Sequence, residues 1–220
     1  MANSIKILSL NVRGLNDKRK RQKVFYWLHE QNVDVIALQE THLGSESDEW
    51  KWKREWGQKS AWTNVAKGSR GVAMLIGKKS KVEISNIKKD PNGRIISVDG
   101  NILDEKLRII NVYTPNIEQE RKEFIKTEIE LHATDSGGNV IVGDFNCTLN
   151  NIDRVGSTAR FEYGREELVD LMRRLNLTDA FRERFPNKLE FTYFKPNSTI
   201  KSRIDNCLSG ISGSPVSLGH

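Results

Sequence analysis

The run Asn139-Val-Ile-Val-Gly-Asp-Phe-Asn146 constrains the fold more than any other part of the chain. Val140, Ile141 and Val142 are consecutive β-branched residues, and an unbroken apolar run of this kind suits a strand covered on both faces. Gly143 then lets the backbone turn without a Cβ clash. Asp144 and Asn146, two residues apart, leave the strand end on the same side. A carboxylate and an amide at one rim of a sheet can hold a hard cation beside a phosphate, and the same residues also suit an ordinary turn after a core strand.

Three other predicted strands end in the same way. Ser4-Ile-Lys-Ile-Leu-Ser-Leu-Asn11 closes on Asn11, Val33-Asp-Val-Ile-Ala-Leu38 runs into Gln39-Glu40-Thr41-His42, and Leu107-Arg-Ile-Ile-Asn-Val-Tyr113 is followed by Thr114-Pro115. Asp17 can cap a helix reaching about Glu30, with Val24, Trp27, Leu28 and Gln31 along one stripe. Its first turn carries Lys18, Arg19, Lys20 and Arg21 against the helix dipole, so these cations either meet phosphate or are solvated. Trp50, Trp52, Trp56 and Trp62 stand among Lys51, Lys53, Arg54 and Lys59. That interleaving serves nucleic-acid surfaces, and it equally serves a helix and loop packed onto a sheet.

The segments 69–77, 81–87, 94–98 and 106–113 read as a set of antiparallel strands, with Asp90-Pro-Asn-Gly93 and Asp99-Gly-Asn101 as turns. A charged helix is expected from about Ile117 to His132. An amphipathic one is expected over Gly164 to Leu175, with Leu168, Leu171, Met172 and Leu175 facing the core. Glu190 to Phe194 and Ile200 to Asp205 look like the last two strands.

At 220 residues without a Pro/Gly/Ser-rich linker, the chain is expected to form a single domain over residues 1–220. A net charge of +6 favours a polyanionic partner. Cys147 and Cys207 are too few for a disulfide scaffold, which suits a reducing interior such as cytosol or nucleus. No run approaches the roughly 18 apolar residues of a membrane span, and Met1-Ala-Asn-Ser lacks signal-peptide features, so no membrane partner is expected.

Asn11, Glu40, Asp144 and Asn146 offer oxygen ligands without thiolates or a histidine pair, which selects Mg2+, with Mn2+ as substitute, over zinc. Glu40 is the candidate ligand and Asp144 the candidate carboxylate for the attacking water. Tyr113 and Asn146 would donate hydrogen bonds to a phosphate as charge builds on it.

These residues lie in motifs that resemble the endonuclease/exonuclease/phosphatase superfamily, and within it the apurinic-like endonuclease domain of LINE-type (non-LTR) retrotransposons, related to exonuclease III. The motifs are Ser9-Leu-Asn-Val-Arg-Gly-Leu15, Leu38-Gln-Glu-Thr-His42, Arg70-Gly-Val-Ala-Met-Leu-Ile76, Asn111-Val-Tyr-Thr-Pro115, Gly143-Asp-Phe-Asn146, Phe191-Thr-Tyr193 and Ser202-Arg-Ile-Asp205, in family order across nearly the whole chain. The resemblance implies a DNase I-like four-layered α/β sandwich, two packed sheets between helices. It implies Mg2+-dependent nicking of double-stranded DNA to leave a 3′-hydroxyl that primes reverse transcription, in the nucleus and as a monomer. No reverse transcriptase lies within these residues. It assigns the metal to Glu40 helped by Asn11, phosphate contact to Tyr113, orientation of the water to Asp144, transition-state stabilisation to Asn146 and support of a catalytic histidine to Asp205. Arg13, Lys18, Arg19, Arg70 and Arg203 are the candidate DNA contacts.

The family closes with Ser-Asp-His, commonly followed by Pro-Val. Here Ser214-Pro-Val216 stands without it, Gly213 occupies the place of Asp-His, and the preceding segment is short. His29, His42, His132 and His220 do not sit in that motif. Two other readings therefore stand beside the nuclease: a catalytically dead DNA-binding relic, and a phosphatase of the same superfamily.

Overall fold

A computed structural model describes residues 5–65, 69–102, 105–134, 138–156, 164–210 and 217–219. The first half of the chain forms β1 (Lys6–Asn11), α1 (Lys18–Glu30), β2 (Val35–Gln39), α2 (Glu46–Trp56), β3 (Ser60–Trp62), β4 (Val72–Ile76), β5 (Glu83–Lys89), β6 (Ile95–Ile102) and β7 (Glu105–Tyr113). The second half forms α3 (Glu118–Thr127), β8 (Gly138–Asp144), β9 (Arg154–Val155), α4 (Arg165–Arg174), β10 (Thr178–Asp179), α5 (Ala180–Arg184), β11 (Tyr193–Phe194), β12 (Lys201–Ser202), β13 (Asp205–Ser209) and β14 (Ser217–Gly219).

Two mixed sheets carry most of these strands. One has the order β14-β1-β2-β4-β3 and the other β10-β13-β8-β7-β6-β5, while β11-β12-β9 makes a small third sheet. Side-chain alternation sorts the core into three layers. Ile7, Val35, Ala37 and Met74 of the first sheet pack against Val98, Ile109, Val140 and Val142 of the second. Their neighbours Leu8, Ile36, Leu38 and Leu75 point the other way, onto Phe25, Leu28, Trp52 and Trp56 of α1 and α2. Ile110, Ile141 and Leu208 face Ile125, Leu168 and Leu171 of α3 and α4. Both faces of the central strands are therefore dry, which is why they read as unbroken apolar runs. The four-layered sandwich expected from the sequence is the observed architecture.

Local signals start and stop the helices. Asp17 caps α1 by accepting from the Lys20 amide at 2.7 Å. Ser45 caps α2 by accepting from the Asp48 amide, and Gly57 closes it in the left-handed conformation.

Several expected elements differ. The buried stripe of α1 is Arg21, Phe25 and Leu28, whereas Trp27 is 41% exposed. The helix is rotated because Arg21 turns inward to pair with Glu55 at 2.7 Å and to lie over Trp52. Three of the four tryptophans, Trp52, Trp56 and Trp62, are core residues, and Trp50 alone is exposed. The presumed antiparallel set is split between sheets: β4 joins the first, while β7 pairs antiparallel with β6 but parallel with β8. The charged helix stops at Thr127, and a single 3-10 turn covers Glu130–His132. Finally, Asp205 opens a strand rather than ending one, since β13 runs antiparallel to β8.

Candidate active site

The inter-sheet face changes character along its length. On β1 the residues pointing between the sheets pass from Ile7 to Ser9 to Asn11, and on β7 from Ile109 to Asn111 to Tyr113. On β8, Val140 and Val142 lead to Asp144. The site is the polar end of an otherwise apolar interlayer. β1 and β2 run in parallel, as do β7 and β8, so their C-terminal residues gather at one rim. Asp205 reaches the same rim from the opposite direction, because the antiparallel register places it against Asp144.

At that rim the Asn11 side-chain amide bridges the two sheets. Its Nδ2 donates to Glu40 Oε1 at 2.8 Å and to Asp144 Oδ2 at 3.1 Å, and its Oδ1 accepts from the Arg13 amide at 3.1 Å. Asp144 Oδ1 accepts from the Asn146 amide at 2.9 Å. Asn146 Nδ2 donates to the Thr114 carbonyl at 3.0 Å. The Tyr113 phenol belongs to the same rim, close enough to Glu40 and Asp144 to feel their charge. Burial, reinforced by Glu40, pushes the phenol far above its usual range. Asn11, Glu40, Tyr113, Asp144, Asn146 and Asp205 are thus brought together, as the sequence motifs imply. Lys18 and Arg19 lie exposed on the first turn of α1, Arg13 lines the cleft, and Arg70 is half-buried.

Backbone strain concentrates here. Arg13, Glu40, His42, Arg70 and Asn146 all have φ between 47° and 61°, a region that side chains other than glycine seldom enter. Interlocking loop bonds hold them: the Gly14 amide donates to the Glu40 carbonyl at 2.6 Å, and the His42 amide to the Arg70 carbonyl at 2.8 Å. Gly143, at φ 138°, is obligatory for a second reason. A Cβ there would stand 2.0 Å from the Val112 carbonyl oxygen, inside the parallel pairing that delivers Asp144.

Asp144 is 5% exposed, and burial together with the charge of Asp205 pushes its carboxyl up to about 7. Two carboxylates, Glu40 and Asp144, share one amide in a poorly hydrated recess. That donor set fits a hard divalent cation, which would relieve the unfavourable burial of negative charge. Glu40, Asp144 and Asn11 are the residues placed to hold it.

The recess opens into a cleft of about 770 Å³ lined by Arg13, Asn116, Arg121, Arg154, Phe194 and Lys195 among others. Asn116 and Arg154 were not singled out from the sequence. Asn116 directly follows the Thr114-Pro115 exit, and the repeated pattern of polar residues after strand ends is the signal that would have found it. Arg94 is also new. Its guanidinium lies over the Tyr113 ring, with 5.3 Å to the centroid, and donates to the Tyr113 carbonyl at 3.1 Å.

Arg203 is a correction. It is 1% exposed and bonds Asp153 through Nε at 2.9 Å and Nη2 at 3.0 Å, with Asp179 and Asn206 completing its shell. A side chain so enclosed cannot touch DNA. Lys20 is likewise engaged, donating to the Val12 and Arg13 carbonyls at 2.7 and 2.8 Å. His42 Nε2 lies 3.5 Å from Glu40 Oε2, and His29 stacks on Trp56. The Gly213 to Val216 segment and His220 lie outside the described residues.

Comparison with known proteins agrees with this architecture. A curated relative, the Transposon TX1 uncharacterized 149 kDa protein of Xenopus laevis, is 28% identical over 206 residues, covering 92% of this chain. The chain spans only 16% of that protein's length. Among solved structures, the Xenopus laevis APE2 catalytic domain superposes with a TM-score of 0.73 at 20% identity, covering 92% of this chain and 81% of that one. An AP endonuclease from Archaeoglobus fulgidus gives 0.73 at 19% identity, with 96% and 87% covered. The 3′ phosphatase NExo from Neisseria, bound to a product DNA hairpin, gives 0.69 at 23%, with 95% and 86% covered. At these identities the likeness shows the fold. The model of the endonuclease/exonuclease/phosphatase family matches residues 8–213, and the chain belongs to that family.

Proposed function

We propose that this chain is a Mg2+-dependent phosphodiesterase that nicks duplex DNA to leave a 3′-hydroxyl, as the endonuclease portion of a retrotransposon-type protein. The observation that carries the reading is the Asn11 amide joining Glu40 and Asp144 across two sheets at the floor of a cationic cleft. Bound there, the cation supplies charge neutralisation at the phosphodiester and at the leaving oxygen. Glu40 is held for it by Asn11, whose amide donates to its carboxylate at 2.8 Å. Asp144, buried beside Asp205 and bonded to the Asn11 amide, orients the attacking water. Asn146, fixed through Thr114, and Asn116 present amides to the phosphate oxygens. Tyr113, whose phenol stays protonated through burial and the charge of Glu40, donates to a phosphate oxygen.

Arg13, Arg70 and Arg94 supply the electrostatic grip on the backbone of the duplex. Phe194, 59% exposed with Lys201 5.8 Å from its ring centroid, offers a flat face to an unstacked base or sugar. Supercoiled plasmid should relax in the presence of Mg2+, the nick should be extendable by a polymerase without prior treatment, and Asp144→Ala should be slower by orders of magnitude. Relaxation no faster than with Asp144→Ala would overturn the reading.

A second reading is favoured by the departure at Gly213, where the family carries Asp-His. A binding module would retain duplex with steep salt dependence and leave plasmid supercoiled.

A further inference from the structure

Asn11 ends β1 and Glu40 directly follows β2 of the first sheet, whereas Tyr113, Asp144 and Asp205 belong to the second. Apolar packing between the sheets is non-directional, so it does not set their register to the fraction of an ångström that a catalytic constellation needs. One layer behind the ionic rim, the interlayer contains amides instead. Gln39 and Asn111 are both fully buried. Gln39 Nε2 donates to Asn111 Oδ1 at 2.7 Å and to Ser9 Oγ at 3.0 Å. Asn111 Nδ2 donates to the carbonyls of Leu38 at 2.9 Å and Ala73 at 2.8 Å. A side chain of the second sheet is thereby bonded to the backbone of two adjacent strands of the first. The residue before Glu40 is tied to the residue two before Tyr113.

Buried amides are a poor way to gain stability in such a place, because an apolar pair of similar volume avoids their desolvation. What they add is direction: each bond has a preferred length and angle, and sliding one sheet along the other breaks the three that cross between the sheets together. We propose that Gln39 and Asn111 are positioning residues, an amide bolt that fixes the register of the two sheets and with it the reach from Asn11 and Glu40 to Asp144. What the bolt does for turnover rests on the phosphodiesterase reading; that it sets the geometry of the rim does not.

The test is the double variant Gln39→Val/Asn111→Val, whose β-branched residues suit strands and nearly conserve volume. Three measurements on the full chain decide it. The thermal midpoint should stay within a few degrees of the wild type. The Asn11 side-chain amide resonances in metal-free protein, which report its bonds to Glu40 and Asp144, should shift. Calorimetric affinity for Mn2+ should fall by about ten-fold or more, as for other residues that orient ligands, and any nicking should lose kcat with little change in KM. Should the double variant fail to fold, Gln39→Asn shortens the bolt by one methylene and is read in the same way.

Unchanged Asn11 resonances with unchanged Mn2+ affinity would overturn the proposal. So would a loss confined to the thermal midpoint. If the wild-type chain proves not to nick at all, the function proposed above fails, while the Asn11 resonances still decide the bolt.

Discussion

Asp205 stands directly opposite Asp144, as its register partner at the open end of the antiparallel β8–β13 pair. Two carboxylates are thus fixed side by side by backbone hydrogen bonding, and the buried one responds by holding its proton up to about 7. The consequence for stability has a definite sign. A carboxyl whose folded-state value exceeds its unfolded value contributes stability that is complete below the unfolded value and is lost as pH rises through the folded one. Metal-free protein should therefore lose this contribution between about pH 4 and pH 7. Asp205→Asn should lower the Asp144 titration midpoint in carboxyl NMR and flatten that loss. Mg2+ should raise the thermal midpoint at pH 8 and do little at pH 5; an equal gain at both would contradict a cation bound by ionised Asp144.

His132 acts in the opposite sense over an overlapping window. It is 5% exposed, its Nδ1 lies 3.1 Å from Ser97 Oγ, and burial beside Lys88 and Arg108 lowers it from 6.5 to about 4. A base depressed on folding binds more protons when unfolded, so stability falls as pH drops from about 6.5 towards 4. The loss should approach about 3 kcal/mol at pH 4, from the shift between those two values. His132→Gln should remove most of this acid sensitivity in urea titrations compared at pH 7 and pH 4.5. Comparing that variant with Asp205→Asn separates the two opposing slopes.

What the sequence reveals and what it hides follow from the range of the interactions involved. The strands β1, β2, β7 and β8 and their polar exits are legible because burial leaves short, mostly apolar runs that end on a polar residue, a purely local mark. Asp205 is harder to place because Asp205-Asn-Cys-Leu-Ser209 is rich in weak strand formers, and it becomes β13 only through pairing with β8 some sixty residues earlier, about the span from Asp144 to Asp205. The true stripe of α1 depends on Glu55, a partner on another helix. Arg203 reads as a surface cation for the same reason: Asp153 and Asp179, 50 and 24 residues away, are invisible as partners until the chain folds.

The position of Arg203 leads to a prediction about stability rather than binding. Asp153 is fully buried and shared by Arg203 and Arg182, and Asp179 caps α5 while also facing Arg203. Removing one partner of such a cluster leaves buried charge uncompensated, which costs about 3–5 kcal/mol. Arg203→Met should lower the unfolding free energy measured by urea titration by that amount. At a temperature where the variant remains folded, its affinity for duplex DNA in the absence of cation should match the wild type. A variant as stable as the wild type but deficient in DNA binding would restore Arg203 to the interface.

Arg94 and Arg70 should behave in the contrary manner. The Gly71 amide donates to the Gly93 carbonyl at 3.1 Å, so the loops carrying the two arginines are joined. Burial, reinforced by the nearby charge of Arg70, holds the Arg94 guanidinium below its usual value. Two half-buried cations that repel each other are relieved by an anion between them, and a backbone phosphate has the charge and the acceptors to serve. Neutralising either one should weaken binding to duplexes of different sequence to the same extent. It should also reduce the slope of log affinity against log salt by about one, the signature of a single lost phosphate contact. Fluorescence anisotropy with Arg94→Gln and Arg70→Gln across a range of salt, in the presence of a chelator so that no cleavage intervenes, measures both quantities. A loss of affinity with an unaltered slope would mean that Arg94 acts through Tyr113, whose carbonyl it also holds, and not on the nucleic acid.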